Sequence, residues 1–384
     1  MADAVGLQEG DAGVVNVLRA LRDLDVSSTK AVSRRTGLPV PVVAAVNNEL
    51  RARGVVTTQR PSQLTPRGRE LLDEYGPDLK EGATCPGCEG HGVVLPAKLE
   101  PVVERLAGYL ERAPEVDLSL DQSFATAETK VRRVLLMMRY SMLPSRSLLV
   151  VGDDDLMAIT IAATGAALGR PLVSRLAVVD ISPRLLDFIE DGLSDLDTRA
   201  ELVEHDLRQP LPDRLRAGFD VAMTDPPYTP EGARLFLSRA VEGLRPGPGR
   251  SIAFSFGPKG PDDTLLVQRA VTDLGLTVQA MHRNFNEYLG AGVIGGTSHL
   301  QVLSSTAATE SVVAGTHAGP LYTADWRTAD REYECMQCGT RYVVGRGGQF
   351  PMIGALKEAG CPQCDGHRFR PLQLVRPTGE QPAR

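Results

Sequence analysis

Short apolar runs alternate with longer stretches of mixed polarity between residues 147 and 304. The segments 147–151, 175–180, 200–204, 220–224, 251–255, 277–283 and 299–304 carry apolar residues and run into polar ones, as buried strands do. Between most of them lie stretches with helical spacing, among them 157–168, 183–191 and 232–243. Strand and helix in alternation predict a doubly wound, mostly parallel sheet. The last two strands have little helix between them, as at the end of a methyltransferase-type Rossmann sheet. The expected fold class is α/β, with this domain spanning residues 101–312.

The same patterning divides the rest of the chain. Residues 11–78 give an amphipathic helix over 14–24, a short helix and glycine turn near Gly37, and a helix over 42–53. Two short strands are expected around residues 59–62. This is the layout of a winged helix-turn-helix. Its second helix carries only Arg51 and Arg53 near its end and few side chains able to read base edges. Dimerisation or substrate gating is therefore the role expected of it, and a homodimer the expected assembly. Residues 79–100 form a Gly/Pro-rich connector with Cys85, Cys88 and His91, and residues 331–372 hold the remaining cysteines.

Composition narrows the function. The chain has 384 residues, 42% of them hydrophobic and 23% charged, with net charge −6, which suits a cationic ligand better than nucleic acid. No apolar run reaches the roughly 20 residues that span a bilayer. The first residues lack the basic, apolar signature of a signal peptide, so the cytoplasm is the expected compartment and no membrane partner is expected. All six cysteines fall in Cys-x-x-Cys pairs. In such a compartment that spacing favours metal thiolates over disulfides. Cys335/Cys338 and Cys361/Cys364, with 22 residues between the pairs, predict a structural zinc-ribbon-like site. Cys85/Cys88 lacks a second pair nearby, leaving its metal binding open.

The chemistry sits at the predicted strand ends, where doubly wound sheets bind ligands. The first strand runs into Gly152-Asp153-Asp154-Asp155, the second ends at Asp180, the third leads to Asp206, and the fourth ends in Asp225-Pro226-Pro227-Tyr228. Asp180 is placed to grip a ribose diol and Asp206 to read an adenine amino group. The double proline stiffens its turn and removes two N–H donors, leaving acceptors toward an amine nucleophile. Tyr228 can stack on a base or cover a cation. S-adenosylmethionine carries a carboxylate that three aspartates repel. A decarboxylated sulfonium and a polyamine are both attracted. Asp121 and Glu128, before a helix, and Glu287, beside Phe285 and Tyr288, add carboxylates.

The segments Asp121-Gln122…Thr126…Glu128-Thr129, Gly152-Asp153-Asp154-Asp155 and Asp225-Pro226-Pro227-Tyr228 resemble the branched-chain polyamine synthases. The preceding winged-helix region and Cys-Pro-x-Cys segment share this likeness, which covers roughly residues 10–305. It implies aminopropyl transfer from decarboxylated S-adenosylmethionine to the N4 nitrogen of spermidine, releasing methylthioadenosine. The family's catalytic acid falls on Asp154 or Asp155, with the spacing from Asp121 favouring Asp154; Asp225, Asp121 and Glu287 complete the expected catalytic set. Gly152, Asp153, Asp180, Asp206, Pro226 and Tyr228 are expected at the cofactor. Two other readings fit the residues: an S-adenosylmethionine-dependent N-methyltransferase, and a non-enzymatic winged-helix regulator that senses a polyamine.

Overall fold

A computed structural model of the protein describes residues 2–5, 7, 10–24, 28–59, 61–73, 92–289, 296–322, 331–344, 348–350 and 353–374. Cys85, Cys88 and His91 lie outside the described residues. The chain divides into two compact units, residues 1–118 with 122–318, and residues 119–121 with 319–384.

The first unit begins with five helices, α1 (Ala2–Val5), α2 (Gly10–Leu24), α3 (Thr29–Thr36), α4 (Val40–Ala52) and α5 (Pro66–Asp73). Ser28 caps α3 by accepting from the Ala31 amide at 3.2 Å, and Gly37, at φ 76°, ends it in the left-handed region open to glycine. Val17, Leu18, Leu21, Val32, Val43, Val46, Leu50 and Leu72 close a core of their own. In place of two strands around residues 59–62, the described residues hold one bridge, Val56 to Leu64.

The sheet domain follows as α6 (Glu100–Arg112), α7 (Ala127–Arg139), β1 (Arg146–Val151), α8 (Met157–Ala167), β2 (Val173–Asp180), α9 (Pro183–Ser194), β3 (Glu201–Glu204), β4 (Val221–Thr224), α10 (Pro230–Gly243), β5 (Ser251–Phe256), α11 (Pro261–Asp273), β6 (Leu276–Glu287) and β7 (Thr297–Ser305). The strand order is β3-β2-β1-β4-β5-β7-β6, parallel through β5, with β7 antiparallel to both neighbours. Leu148 and Val150 of β1 join one core with α6 to α9, while Leu149 lies against Gly243 of α10. Burial on both faces is why β1 and β4 read as continuous apolar runs. Each such aliphatic side chain contributes about 1.5–3 kcal/mol on leaving water.

β6 departs from expectation. It continues past Arg283 to Glu287, so that Asn284 to Glu287 are strand residues rather than a loop. The ladder to β7 shifts register between His282 and Asn286, and Asn284 takes φ 54°. Such an irregularity re-aims the side chains beyond it. The loop after β3 is clasped by Arg239, fully buried, which donates to the carbonyls of Leu207, Arg208, Val313 and Gly315 at 2.9–3.1 Å.

The second unit contains β8 (Arg331–Cys335), β9 (Arg341–Val344), α12 (Ile353–Ala359) and β10 (Phe369–Leu374), with an antiparallel sheet of order β10-β8-β9. Cys335, Tyr342, Val344, Leu356, Cys361 and Phe369 form its core. Among the described residues, no helix is long and apolar enough to cross a membrane.

Candidate active site

β1 lies between β2 and β4, so chain direction across the sheet switches there, and ligands of doubly wound folds bind beyond such a switch. Gly152 leaves β1 at φ 73°, a conformation available to glycine at little cost. Thr224 at the end of β4 donates to the Val151 carbonyl at 2.9 Å and holds the two strand ends together.

The three aspartates that follow Gly152 have three different surroundings. Asp153 turns inward: its carboxylate accepts from the Met157 and Ala158 amides at 2.5 and 3.0 Å, capping α8, and its own amide donates to Asp180 at 3.0 Å. Its negative side chain thus faces a helix start, where it was expected to meet the cofactor. Burial pushes this carboxyl up to about 7, against the two amides.

Asp155 is also buried, but between cations. Its Oδ1 accepts from the Ala125 amide at 2.5 Å and lies 3.5 Å from Lys130 Nζ, and its Oδ2 pairs with Arg133 Nη1. Burial opposes ionisation here, yet Arg133 and Lys130 hold the carboxyl below its ordinary range.

Asp154, half-buried, accepts from the Ser123 amide at 3.3 Å. Burial, with Asp155, Asp225 and Asp180 nearby, drives its carboxyl well above the ordinary range.

Asp225 meets this group from β4. Its Oδ2 accepts from Arg133 Nη2 at 2.8 Å and from the Tyr288 hydroxyl at 2.6 Å, and its Oδ1 lies 3.1 Å from the Tyr228 hydroxyl. Burial raises its carboxyl to about 6, with Arg133 opposing and Asp155 reinforcing. The Tyr228 and Tyr288 hydroxyls lie 2.7 Å apart, and burial beside Asp225 keeps both phenols protonated. Gly257 makes room for the Tyr228 ring, since a Cβ there would stand 2.5 Å from it. Asp180 ends β2 with its Oδ1 on the Ser182 amide at 2.8 Å, and burial raises its carboxyl. Five carboxyl groups, Asp153, Asp154, Asp155, Asp180 and Asp225, thus gather at these strand ends, with the buried Lys130 and Arg133 paired to Asp155 and Asp225. Chemically this is a site for cations.

Comparison with known proteins agrees with this geometry. The family model for the branched-chain polyamine synthase A C-terminal domain matches residues 101–327. The chain belongs to the branched-chain polyamine synthase family. An N(4)-bis(aminopropyl)spermidine synthase of Thermococcus kodakarensis is 34% identical over 69% of this chain and 75% of that protein. An uncharacterized protein of Methanocaldococcus jannaschii is 32% identical over 97% of this chain and 92% of its own length, so that likeness runs into the C-terminal unit. The crystal structure of a Thermus thermophilus branched-chain polyamine synthase mutein, in complex with N4-aminopropylspermidine and 5′-methylthioadenosine, superposes with a TM-score of 0.67 at 24% identity. That match covers 83% of this chain and 93% of the other. It shows a shared fold.

The other expected residues of this synthase-family chain are more scattered. Asp206, half-buried after β3, accepts from the Arg208 amide at 2.9 Å. Glu287 extends to Arg34 of α3 at 3.0 Å, while Lys30 of α3 donates to the Tyr288 carbonyl at 3.1 Å. Asp121 belongs to the short segment Ser119–Asp121, which groups with the C-terminal unit, and has φ 59°.

In that unit the Sγ atoms of Cys335, Cys338, Cys361 and Cys364 all lie within 4.8 Å of one another. The Cys335–Cys364 and Cys338–Cys361 separations are 3.6 and 3.5 Å.

Sequence reasoning missed Lys130 and Arg133, both fully buried on α7 and one turn apart. It also gave no role to Asn286, whose Oδ1 accepts from Arg133 Nε at 2.8 Å, or to the Tyr288 hydroxyl. A signal was present: positions 127, 130, 131, 133 and 134 share one face of α7, and two of them are cationic.

Proposed function

We propose that the protein is an aminopropyltransferase that moves the aminopropyl group of decarboxylated S-adenosylmethionine to an amine, the N4 nitrogen of spermidine. The observation that carries this reading is the meeting of Asp154 and Asp225 in a carboxylate cluster at the ends of β1 and β4. The family and the activity of its relatives agree with it. The amine lone pair attacks the carbon beside the sulfonium, the C–S bond breaks, and its electron pair leaves on sulfur as the neutral thioether of methylthioadenosine. Asp154 takes the proton released by the nitrogen, since it is the member of the trio facing neither a helix start nor a buried cation. Asp225, Pro226 and Tyr228 orient the amine, with Asp155 holding the second side of the cluster. Gly152 and Asp153 shape the turn beneath the donor, and Asp180 and Asp206 bind its ribose and adenine. Glu287 is assigned to an outer ammonium group. Because the sulfonium is already a good leaving group, most of the rate comes from positioning and charge.

The accessory parts follow the same reading. Residues 11–78 act as a winged helix that supports the site and pairs two copies, residues 79–100 connect it to the transferase domain at 101–312, and residues 331–372 form a zinc ribbon. Zinc bound tetrahedrally to four thiolates at about 2.3 Å sets its sulfurs roughly 3.8 Å apart, close to the spacing of the four cysteines. Such a site is structural. It suits the reducing cytoplasm, where thiols remain available to metal.

The test is incubation of the protein with spermidine and either decarboxylated or intact S-adenosylmethionine. Methylthioadenosine and a product heavier by one or two aminopropyl units are expected with the decarboxylated donor alone. Turnover of the intact donor with methyl transfer overturns the proposal.

A further inference from the structure

Three of the carboxylates must do different work although they lie within one cluster, and one buried cation separates them. The Arg133 side chain is fully buried, and each of its nitrogens is engaged: Nε with Asn286 at 2.8 Å, Nη1 with Asp155, and Nη2 with Asp225 at 2.8 Å and the Tyr288 hydroxyl at 3.0 Å. Asp155 belongs to the turn after β1 and Asp225 to the turn after β4. The guanidinium therefore spans the two loops on which the proposed chemistry depends. Asn286, held by Ser255 and Ser298 at 3.1 and 2.7 Å, fixes its third side.

We propose that Arg133 is a positioning residue for aminopropyl transfer: it fastens Asp155 to Asp225, fixes the gap between the two loops, and so leaves Asp154 as the carboxylate that takes the proton. This rests on the function proposed above. The chemistry favours arginine specifically. A planar fork with five N–H donors can hold two carboxylates, a hydroxyl and an amide oxygen at fixed angles; a lysine ammonium is a point charge with three donors. Lys130, one turn earlier, shows the contrast: its Nζ is hydrogen-bonded to Asp155, through the main-chain and side-chain oxygens, with the Phe124 ring centroid at 5.6 Å. Two buried cations also answer a difficulty of charge. Carboxylates this close cannot all ionise without compensation. Arg133 supplies it to Asp155 and Asp225 and Lys130 to Asp155, while Asp154 forms no direct ion pair with either.

The test compares Arg133→Lys, Arg133→Gln and Tyr288→Phe with the native protein. Arg133→Lys keeps the charge and the fold but can hold only one loop at a time; kcat is expected to fall about 100-fold, the scale of an ångström of misplacement. Its KM for decarboxylated S-adenosylmethionine should stay within about threefold, because the nucleoside contacts lie elsewhere. In Arg133→Gln the loss of a cation raises the carboxyl pKa values, so the acid limb of kcat/KM moves to higher pH. More protons should then be displaced when spermidine binds at neutral pH, as read by calorimetry in buffers of different ionisation enthalpy. Tyr288→Phe removes the hydroxyl shared by Arg133 and Asp225, and is expected to lower kcat with the pH limb unmoved. A lysine variant with native kcat overturns the proposal. So does a loss of activity with no change in pH limb or proton release in the glutamine variant, which would mark a purely structural role. If Arg133→Gln does not fold, the lysine and phenylalanine variants decide between these outcomes by kcat. If the native protein binds spermidine but forms no methylthioadenosine, the proposed function fails while proton release still judges Arg133.

Discussion

Gly257→Ala tests the aromatic wall of the site through a single methyl group. The added Cβ would stand 2.5, 2.8 and 3.2 Å from Cδ2, Cε2 and Cγ of Tyr228. Carbon atoms rest at about 3.5 Å or more, so the ring must retreat by about 1 Å. It has little freedom to do so: its centroid is 5.3 Å from that of Phe256 and 6.3 Å from that of Tyr288, and its hydroxyl reaches Asp225 and Tyr288 at 3.1 and 2.7 Å. Overpacking of this kind costs about 1–3 kcal/mol of stability, and a midpoint value of about 2 lowers Tm by roughly 4–8 °C in a domain of this size. The functional effect should exceed the structural one. An ångström of displacement at a group that orients the nucleophile costs about 100-fold in rate. The assay is methylthioadenosine release at a temperature well below both melting points, with Tm measured alongside. In a Tyr228→Phe background the same substitution should cost much less, because the hydroxyl contact is already gone. A Gly257→Ala enzyme with kcat/KM within threefold of native, or with the same loss in both backgrounds, refutes the reasoning.

Asp154→Asn removes the proposed proton acceptor while keeping the side-chain shape, and kcat should fall by about 100- to 10,000-fold with little change in Tm; retention of native kcat excludes Asp154. Because burial and neighbouring carboxylates hold Asp154 above the ordinary range, activity should be lost as pH falls through a value well above 4, since the ionised form is the active one. Asp155→Asn removes one repelling charge and should move that limb to lower pH, provided the loop keeps its place. Arg34→Gln should cost at most about 1 kcal/mol of stability, as its pair with Glu287 is partly exposed. Removing the Arg34 cation beside Glu287 should also lower KM for spermidine; an unchanged KM removes Glu287 from the substrate contacts. One zinc per chain is expected by elemental analysis, and Cys361→Ser should abolish it while leaving kcat per folded molecule intact.

Much of the fold was legible because burial on both faces leaves a strong mark on a strand. Residues 148–151 of β1 and 221–223 of β4 are unbroken apolar runs, and the strand ends could be placed to within a residue. The polar turns that follow were equally visible, since Gly152 and the paired prolines announce a backbone constraint. β6 was read short for a physical reason: its register shift between His282 and Asn286 breaks the alternation that marks a strand. Three of the N-terminal helices, α2, α3 and α4, were visible from apolar spacing and a glycine turn, whereas α1 and α5 were not. What they lie against was not visible either, because Lys30 and Arg34 meet acceptors more than 250 residues away.

The site shows where a sequence stops being informative. Asp153, Asp154 and Asp155 are chemically identical and adjacent, yet one caps a helix, one pairs with buried cations and one faces neither. Backbone direction after Gly152 makes the first distinction: the Asp153 amide is fastened to Asp180, which turns its carboxylate onto the start of α8. The second is made by α7, where Lys130 and Arg133 look like solvated charges in an amphipathic helix until the face they share is known to be buried. Carboxylates at strand ends therefore point to a cationic ligand, but not to the division of labour among them. That division depends on a guanidinium whose partners lie 22, 92 and 153 residues along the chain. It follows that a change at Arg133 should disturb proton handling more than donor binding, even though Arg133 itself meets neither the donor nor the amine.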